Sequence, residues 1–232
     1  MYAYIRLFVD NSIKIGELSE GTEIYPGDYL LVETKYGTDI ARSLSKELDL
    51  PQQNVKNLIK IISKAEEKDI AIYRENEEKS KQYYNKVKDV LKKHLPKINF
   101  IRIYFLLDKS KVLVYYTSDE RVDFREAVKE LASIFRIRIE MRQIDNRESF
   151  RMMGGIGICG MKCCCSNFDV KNEHISVNLV KEQSLSETNA KLIGPCGKLL
   201  CCLSYEQENY KDGKCIIYKN NTNDSIKESL HG

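Results

Sequence analysis

Residues 101–142 read IRIYFLLDKSKVLVYYTSDERVDFREAVKELASIFRIRIEMR. Ile101, Ile103, Phe105 and Leu107 recur at the period of two that a half-buried strand requires. Asp108-Lys109-Ser110 supplies turn chemistry, and Val112 to Tyr116, rich in β-branched and aromatic residues, returns as a second strand. Asp123 stands where a helix would be capped, with Glu126 three residues on as its capping-box partner. Phe124, Val128, Leu131, Ala132 and Phe135 then share one face at helical spacing. Ile137, Ile139 and Met141 alternate with Arg138, Glu140 and Arg142, the pattern of a third strand. Hairpin, helix and strand in that order predict an α+β layer whose helix covers one sheet face. Arg136, Arg138 and Arg142 are expected to share the solvent-facing side, where they are candidate binding residues for RNA or an acidic protein. A solvated strand face is the plainer alternative, because Glu140 sits among them.

Working outward, Glu66 to His94 is densely charged, with Tyr84, Val87, Val90, Leu91 and Leu95 at helical spacing and Pro96 as the stop, which predicts a long exposed helix. Further upstream, Tyr2–Val9 and Tyr29–Thr34 are rich in strand formers, and Pro26-Gly27-Asp28 and Tyr36-Gly37-Thr38 supply turns. A short helix is expected after Pro51. The domain expectation is a β-rich unit over 1–62, a helical connector over 63–97, an α+β domain over 98–210 and a polar, frayed tail over 211–232.

The 232 residues can bury a core without covalent staples. With 37 basic and 34 acidic side chains, the net charge of +3 does not announce nucleic-acid binding by bulk electrostatics. The opening Met1–Val9 is too short and too interrupted by Arg6 for a secretory core, and no stretch approaches the roughly 20 apolar residues of a spanning helix, so a cytoplasmic location without membrane insertion is expected. Thiols there stay reduced, and clustered cysteines point to metal or redox chemistry before disulfides.

Seven of the eight cysteines concentrate in two stretches, GGIGICGMKCCCSNF (154–168) and IGPCGKLLCCLSY (193–205). Both contain Ile-Gly-X-Cys-Gly, three residues, then Cys-Cys, so Cys159, Cys164 and Cys165 correspond to Cys196, Cys201 and Cys202 at a constant offset (196 − 159 = 37). Cys163 is an extra thiol where the second copy has Leu200. The six paired cysteines are the candidate metal ligands, with Cys163 a further candidate; Cys215 lies outside the repeat and is read as unliganded. Thiolates bind iron and zinc when deprotonated and held together, and the flanking glycines let backbone wrap closely around a centre. An iron–sulfur cluster is the leading reading, because such clusters tolerate looser cysteine spacing. Zinc is the alternative, since Cys-x₂₋₄-Cys pairs are not the main spacing here. Thiol–disulfide sensing and simple packing stay open behind them. His174 lies between the copies and reads as a loop histidine. No carboxylate pair, nucleophile elbow or phosphate loop is visible, so an enzyme is the class least expected.

The runs VDFREAVKELASIFRIRIEMRQI, RMMGGIGICG, VKEQSLS and GPCGKLLCCLSYE together resemble the polymerase-suppressor (PSP-one) C-terminal-domain family, in particular its bacterial RicT-like branch. The resemblance reaches from the N-terminal strands to about Tyr210. It implies a non-enzymatic cytoplasmic regulator that binds iron–sulfur clusters, [4Fe–4S] in type. It also implies two small helical partners of the RicA and RicF kind, a role in phosphorelay-linked development such as sporulation, and guidance of the endonuclease RNase Y in messenger RNA processing. The ligand candidates it carries over are Cys159, Cys164, Cys165, Cys196, Cys201 and Cys202. The family's first motif has Pro before the first cysteine and Arg-Pro-Leu in the gap; here Ile158 and Met161-Lys162-Cys163 stand instead, and Cys163 can take the role of Cys164. A zinc-stabilised module binding RNA through the Arg136–Arg142 strand is the alternative function.

Overall fold

The structure, a computed structural model, describes residues 1–19, 21–48, 58–168, 175–185, 190–211 and 214–216. The stretch around Pro51, His174 and all of the tail beyond Ile216 lie outside the described residues. The chain divides into two units, Met1–Met153 and Gly154–Gly232.

In the first unit, strands β1 (Tyr2–Leu7), β2 (Ile13–Glu17), β3 (Tyr29–Thr34), β4 (Gly37–Ser43) and β5 (Ile59–Lys64) close into a barrel of order β1-β2-β5-β3-β4. Ala3, Ile5, Leu7, Leu30, Val32, Ala41 and Ile61 turn inward and are buried, alternating with less buried positions on β1 and β3, whereas β4 is buried continuously over Asp39, Ile40 and Ala41. Closure needs Gly16. A methyl group there would stand 2.6 Å from Ile61 Cδ1 and 3.1 Å from Ile5 Cδ1.

Helix α1 (Glu67–His94) follows, opened by a reciprocal capping box between Glu66 and Asp69. Its stripe of Val87, Val90 and Leu91 is buried, so the helix expected to be exposed packs one face on the sheet that comes next. That sheet contains β6 (Asn99–Phe105), β7 (Lys111–Thr117) and β8 (Arg138–Gln143). β6 and β7 form the hairpin read from the sequence, and α2 (Arg125–Phe135) carries the chain to β8, parallel to β7. Ile103, Phe105, Val112 and Val114 face α1 and α2, with Ile137, Ile139 and Met141 alongside. Tyr104, Leu106, Leu113 and Tyr115 on the opposite face join the barrel's core. The α+β expectation therefore holds, with one addition: the barrel covers the sheet face left open in the sequence pattern.

Two sequence expectations are corrected. α2 begins at Arg125, because the Asp123 carboxylate takes the Arg125 N–H (3.1 Å) and Glu126 pairs with Lys129. Its buried stripe accordingly runs through Ala127 and Leu131, with Phe124 exposed. The arginines do not form one solvent-facing row. Arg136 caps α2 in the left-handed conformation (φ 54°), outside the strand, and only Arg138 is an exposed strand position. Arg142 turns toward the barrel, donating to the Tyr36 hydroxyl (2.8 Å) with its guanidinium 5.0 Å from the ring centre, because the barrel occupies that side of the sheet. Helix α3 (Asn146–Met153) ends the unit, with Arg151 buried and donating to the Asp10 carbonyl. Among the described residues no helix is long and apolar enough to cross a membrane.

Candidate metal centre

Every cysteine lies in the second unit. Its first glycine-rich stretch folds as a tight knuckle. Ile156 bridges Lys162; Gly157 N–H donates to the Met161 carbonyl (2.8 Å), Gly160 N–H to Gly157 (3.0 Å) and Cys163 N–H to Gly155 (3.1 Å). The second stretch repeats this bond for bond at the same offset. Ile193 bridges Leu199; Gly194 donates to Lys198 (2.8 Å), Gly197 to Gly194 (2.9 Å) and Leu200 to Leu192 (2.9 Å). Gly160 and Gly197 turn the chain in the left-handed region, at φ 78° and 75°, where an L side chain is strained. Each Cys-Gly pair is thus one structural device: the glycine makes the bend and the cysteine before it supplies the thiol.

Sulfur positions repeat as well. A methyl group on Gly157 would lie 3.4 Å from Cys159 Sγ, and one on Gly194 would lie 3.7 Å from Cys196 Sγ, so both thiols fold back over their own knuckle. After each knuckle comes a helical turn, α4 (Cys164–Asn167) and α6 (Cys202–Tyr205), which resolves how adjacent cysteines diverge: successive side chains leave a helix about 100° apart. Cys165 is buried; Cys164, Cys196, Cys201 and Cys202 are half-buried, and Cys159 is exposed. Between the knuckles, α5 (Asn178–Glu182) places Val180 against Leu192 and Leu203 in a small core, and buried Gln183 donates to the Leu203 carbonyl (2.7 Å). Cys215 sits apart on a two-strand ribbon, β9 (Tyr210–Lys211) with β10 (Lys214–Cys215).

The two copies meet at the rings of Phe168 and Tyr205, whose centroids lie 5.3 Å apart. Burial, then the neighbouring thiols Cys164, Cys196, Cys201 and Cys159, push the Cys163 thiol up from its ordinary value. Burial and Cys159 do the same to Cys164, with Glu206 contributing; burial, Glu206 and Cys164 raise Cys202. Burial and neighbouring sulfurs keep these thiols protonated, and a bound cation would favour their thiolate form. Among the described residues no three His, Cys, Asp or Glu side chains stand at the spacing of a single bound ion. The donor set nevertheless fits a soft-metal group in chemistry: several thiols and close-approaching glycine backbone. Glu206, beside Cys164 and Cys202, is a carboxylate missed in the sequence reading; its signal was the position four residues after Cys202, one helical turn along. The exposed Ile156, Ile158 and Met161 on the first knuckle were also missed.

Comparison with known proteins places two family descriptions on the chain: "PSP1 C-terminal conserved region" over residues 59–144 and "PSP1-like protein, third domain" over residues 174–217. The first covers β5, α1 and the β6–α2–β8 layer, and the second covers the second knuckle. The chain is 37% identical over 195 residues to the stage 0 sporulation protein YaaT of Bacillus subtilis (strain 168), covering 84% of this chain and 71% of that protein. None of these descriptions names a catalytic family. No solved structure matches the chain.

Proposed function

The chain belongs to the PSP1 C-terminal-domain family, and from that premise we propose that it is a non-enzymatic cytoplasmic adaptor of sporulation-type regulation. It binds an iron–sulfur cluster through its duplicated cysteine knuckles. One observation carries the reading: two cysteine knuckles matched hydrogen bond for hydrogen bond and brought together at the Phe168–Tyr205 ring contact. Metal would cross-link two loops that meet through the ring contact of Phe168 with Tyr205. Loss or oxidation of the cluster would release the loops and change the surface they present. Ile156, Ile158 and Met161 are more than 60% exposed on the first knuckle, an apolar surface suited to a protein partner. The family resemblance supports small helical proteins of the RicA and RicF kind as those partners, and RNase Y-dependent messenger RNA processing as the process they serve. Arg138, the arginine left exposed on β8, is too little to favour direct RNA recognition.

Purification without oxygen, followed by iron, sulfide and zinc assay and a visible spectrum, tests the reading. Iron and sulfide in equal amounts, lost in Cys159→Ser and Cys196→Ser, are expected. Zinc alone would replace it with a zinc-stabilised module, and protein free of both metals, even with the partners co-expressed, would overturn it.

A further inference from the structure

The outer face of the barrel brings together cations that the fold leaves without carboxylates. On β4, Arg42 stands directly opposite Tyr29 of β3 on one side and Arg6 of β1 on the other. The residues flanking them, Leu30, Ala41, Ile5 and Leu7, are buried inside, so these three side chains form one row on the outside. Two arginines opposite one another across a ladder repel. Among the described residues neither has a carboxylate partner: Arg6 donates to the neutral Asn11 side chain (3.3 Å), and the Arg42 guanidinium lies 6.0 Å from the Tyr29 ring centre. Lys46 is likewise without one and lies 5.4 Å from the Tyr25 ring centre. Asp28 and Glu47, next to Tyr29 and Lys46 in the chain, are already engaged. Asp28 holds Lys64 (3.0 Å) and accepts the Tyr25 N–H (2.9 Å), and Glu47 accepts the Ile24 N–H (2.6 Å).

Flat rings accompany these charges. Tyr4, two positions before Arg6 on the same side of β1, is 39% exposed, and Tyr25 is 49% exposed. The turn after Tyr25 is bonded to the end of β4: Gly27 N–H donates to the Ser43 carbonyl and Ser43 N–H to the Asp28 carbonyl, both at 2.8 Å. A methyl group on Gly27 would lie 3.7 Å from an Arg42 guanidinium nitrogen. Tyr25 and its lysine are therefore fixed beside the arginine row.

We propose that this barrel face binds single-stranded RNA, with Arg6, Arg42 and Lys46 on phosphates and Tyr4 and Tyr25 stacking on bases. Cations interleaved with exposed aromatic planes answer the two repeating parts of such a chain, and bound phosphate would relieve the repulsion between Arg6 and Arg42. An acidic protein segment would answer the charge and leave the rings unused. A duplex would present phosphates while its bases stay stacked on one another. The exposed rings carry hydroxyls, which can meet the 2′-hydroxyl that DNA lacks. The proposal goes beyond the metal reading and does not depend on it.

The test measures the anisotropy of fluorescein-labelled decauridine against the whole chain, with Lys88→Gln, an exposed lysine on α1, as the control for charge alone. Affinity is expected to fall about tenfold or more from 50 to 200 mM salt, as about three phosphate contacts require. Arg6→Gln and Arg42→Gln should each weaken binding and lower the slope of log affinity against log salt by about 0.7. Tyr4→Ala and Tyr25→Ala should weaken it about fivefold or more and leave that slope as it is. Arg42→Gln removes one of two facing charges and should keep or raise the urea midpoint. No binding by wild type, or Arg6 and Arg42 variants that bind like the control, overturns the proposal. So does equal affinity for decathymidylate, which removes the assignment to RNA, or stronger competition by decaglutamate, which makes the face one for acidic proteins. Should a variant fail to fold, 4-thiouridine cross-links in wild type that map only away from Tyr4 and Tyr25 overturn it equally. Iron content is read separately, so loss of RNA binding leaves the metal reading standing.

Discussion

Phe168 and Tyr205 pack ring to ring, centroids 5.3 Å apart with planes at 53°, and they stand at the same offset of 37 positions as the cysteines of the repeat. The contact joins equivalent points: Phe168 N–H closes the turn on Cys164 and Tyr205 N–H closes it on Cys201. A duplicated motif whose matching side chains touch has its two cysteine turns side by side.

Truncating either ring should therefore loosen the turns of both copies. Both rings are partly exposed, at 54% and 42%, so the loss is that of a tilted aromatic pair more than of core burial, about 0.5–1.5 kcal/mol. Phe168→Ala and Tyr205→Ala should each raise amide exchange in both knuckles of the metal-free chain, and the double variant should add little to either. Purely additive effects would mean that the rings act separately.

Glycine substitutions should separate backbone from sulfur. Gly160 and Gly197 have positive φ and nothing within 4 Å, so Gly160→Ala costs the left-handed strain alone, about 1–2 kcal/mol, and Gly160→Asn less. Gly157 has ordinary φ, and a methyl group there would meet the Cys159 and Cys163 sulfurs only at ordinary van der Waals distance, so Gly157→Ala should leave both the metal-free knuckle and its sulfurs in place. Exchange protection reads the strain at Gly160, and metal retention in Gly157→Ala checks that the sulfurs stay. Equal behaviour of the two variants in both assays would contradict the division of labour.

Much of this was legible in the sequence. The hairpin, α2 and β8 were visible because period-two and 3.6-residue patterns are local, and the knuckles because a 37-residue offset aligns glycines with cysteines. Barrel closure was not legible. Ile59–Lys64 (IKIISK) shows no clean alternation, and its strand identity comes from pairing with β2 and β3, which no local pattern encodes. Arg142 reads as a solvated charge until the barrel brings Tyr36 to it. The contact between the two copies is equally tertiary: the sequence displays the two motifs but not that Phe168 meets Tyr205.

The corrected face of α2 gives a direct check. Leu131 is fully buried between the helix and the sheet, and Leu131→Ala should cost about 2–5 kcal/mol. Phe124, 41% exposed just before the helix, should cost under about 1 kcal/mol on change to alanine. Denaturant midpoints at constant slope measure both. A Phe124 variant as damaged as the Leu131 variant would restore the apolar face expected from spacing alone.

Asp39 couples the barrel to pH. It is 1% exposed on β4 and accepts the Tyr104 hydroxyl from β6 at both oxygens (3.1 and 2.9 Å). Asp108 faces it, and Arg102 stacks over Tyr104 at 4.8 Å. Burial raises the Asp39 carboxyl from 3.8 to about 7, against the hydrogen bonds of Ile40, Tyr104 and Leu107 that pull it down. The sign follows: between these values the folded chain keeps a proton that the unfolded chain has released. Stability must fall as pH rises through that window, by up to about 1.4 kcal/mol per unit, and then level off above about 7. Asp39→Asn stays neutral throughout and should flatten this slope, gaining on wild type as pH goes from 5 to 8. Urea midpoints of both proteins at pH 5, 6, 7 and 8 give the comparison. Parallel profiles would show that Asp39 is already ionised in the fold at pH 5, its charge carried by Tyr104 and the backbone donors.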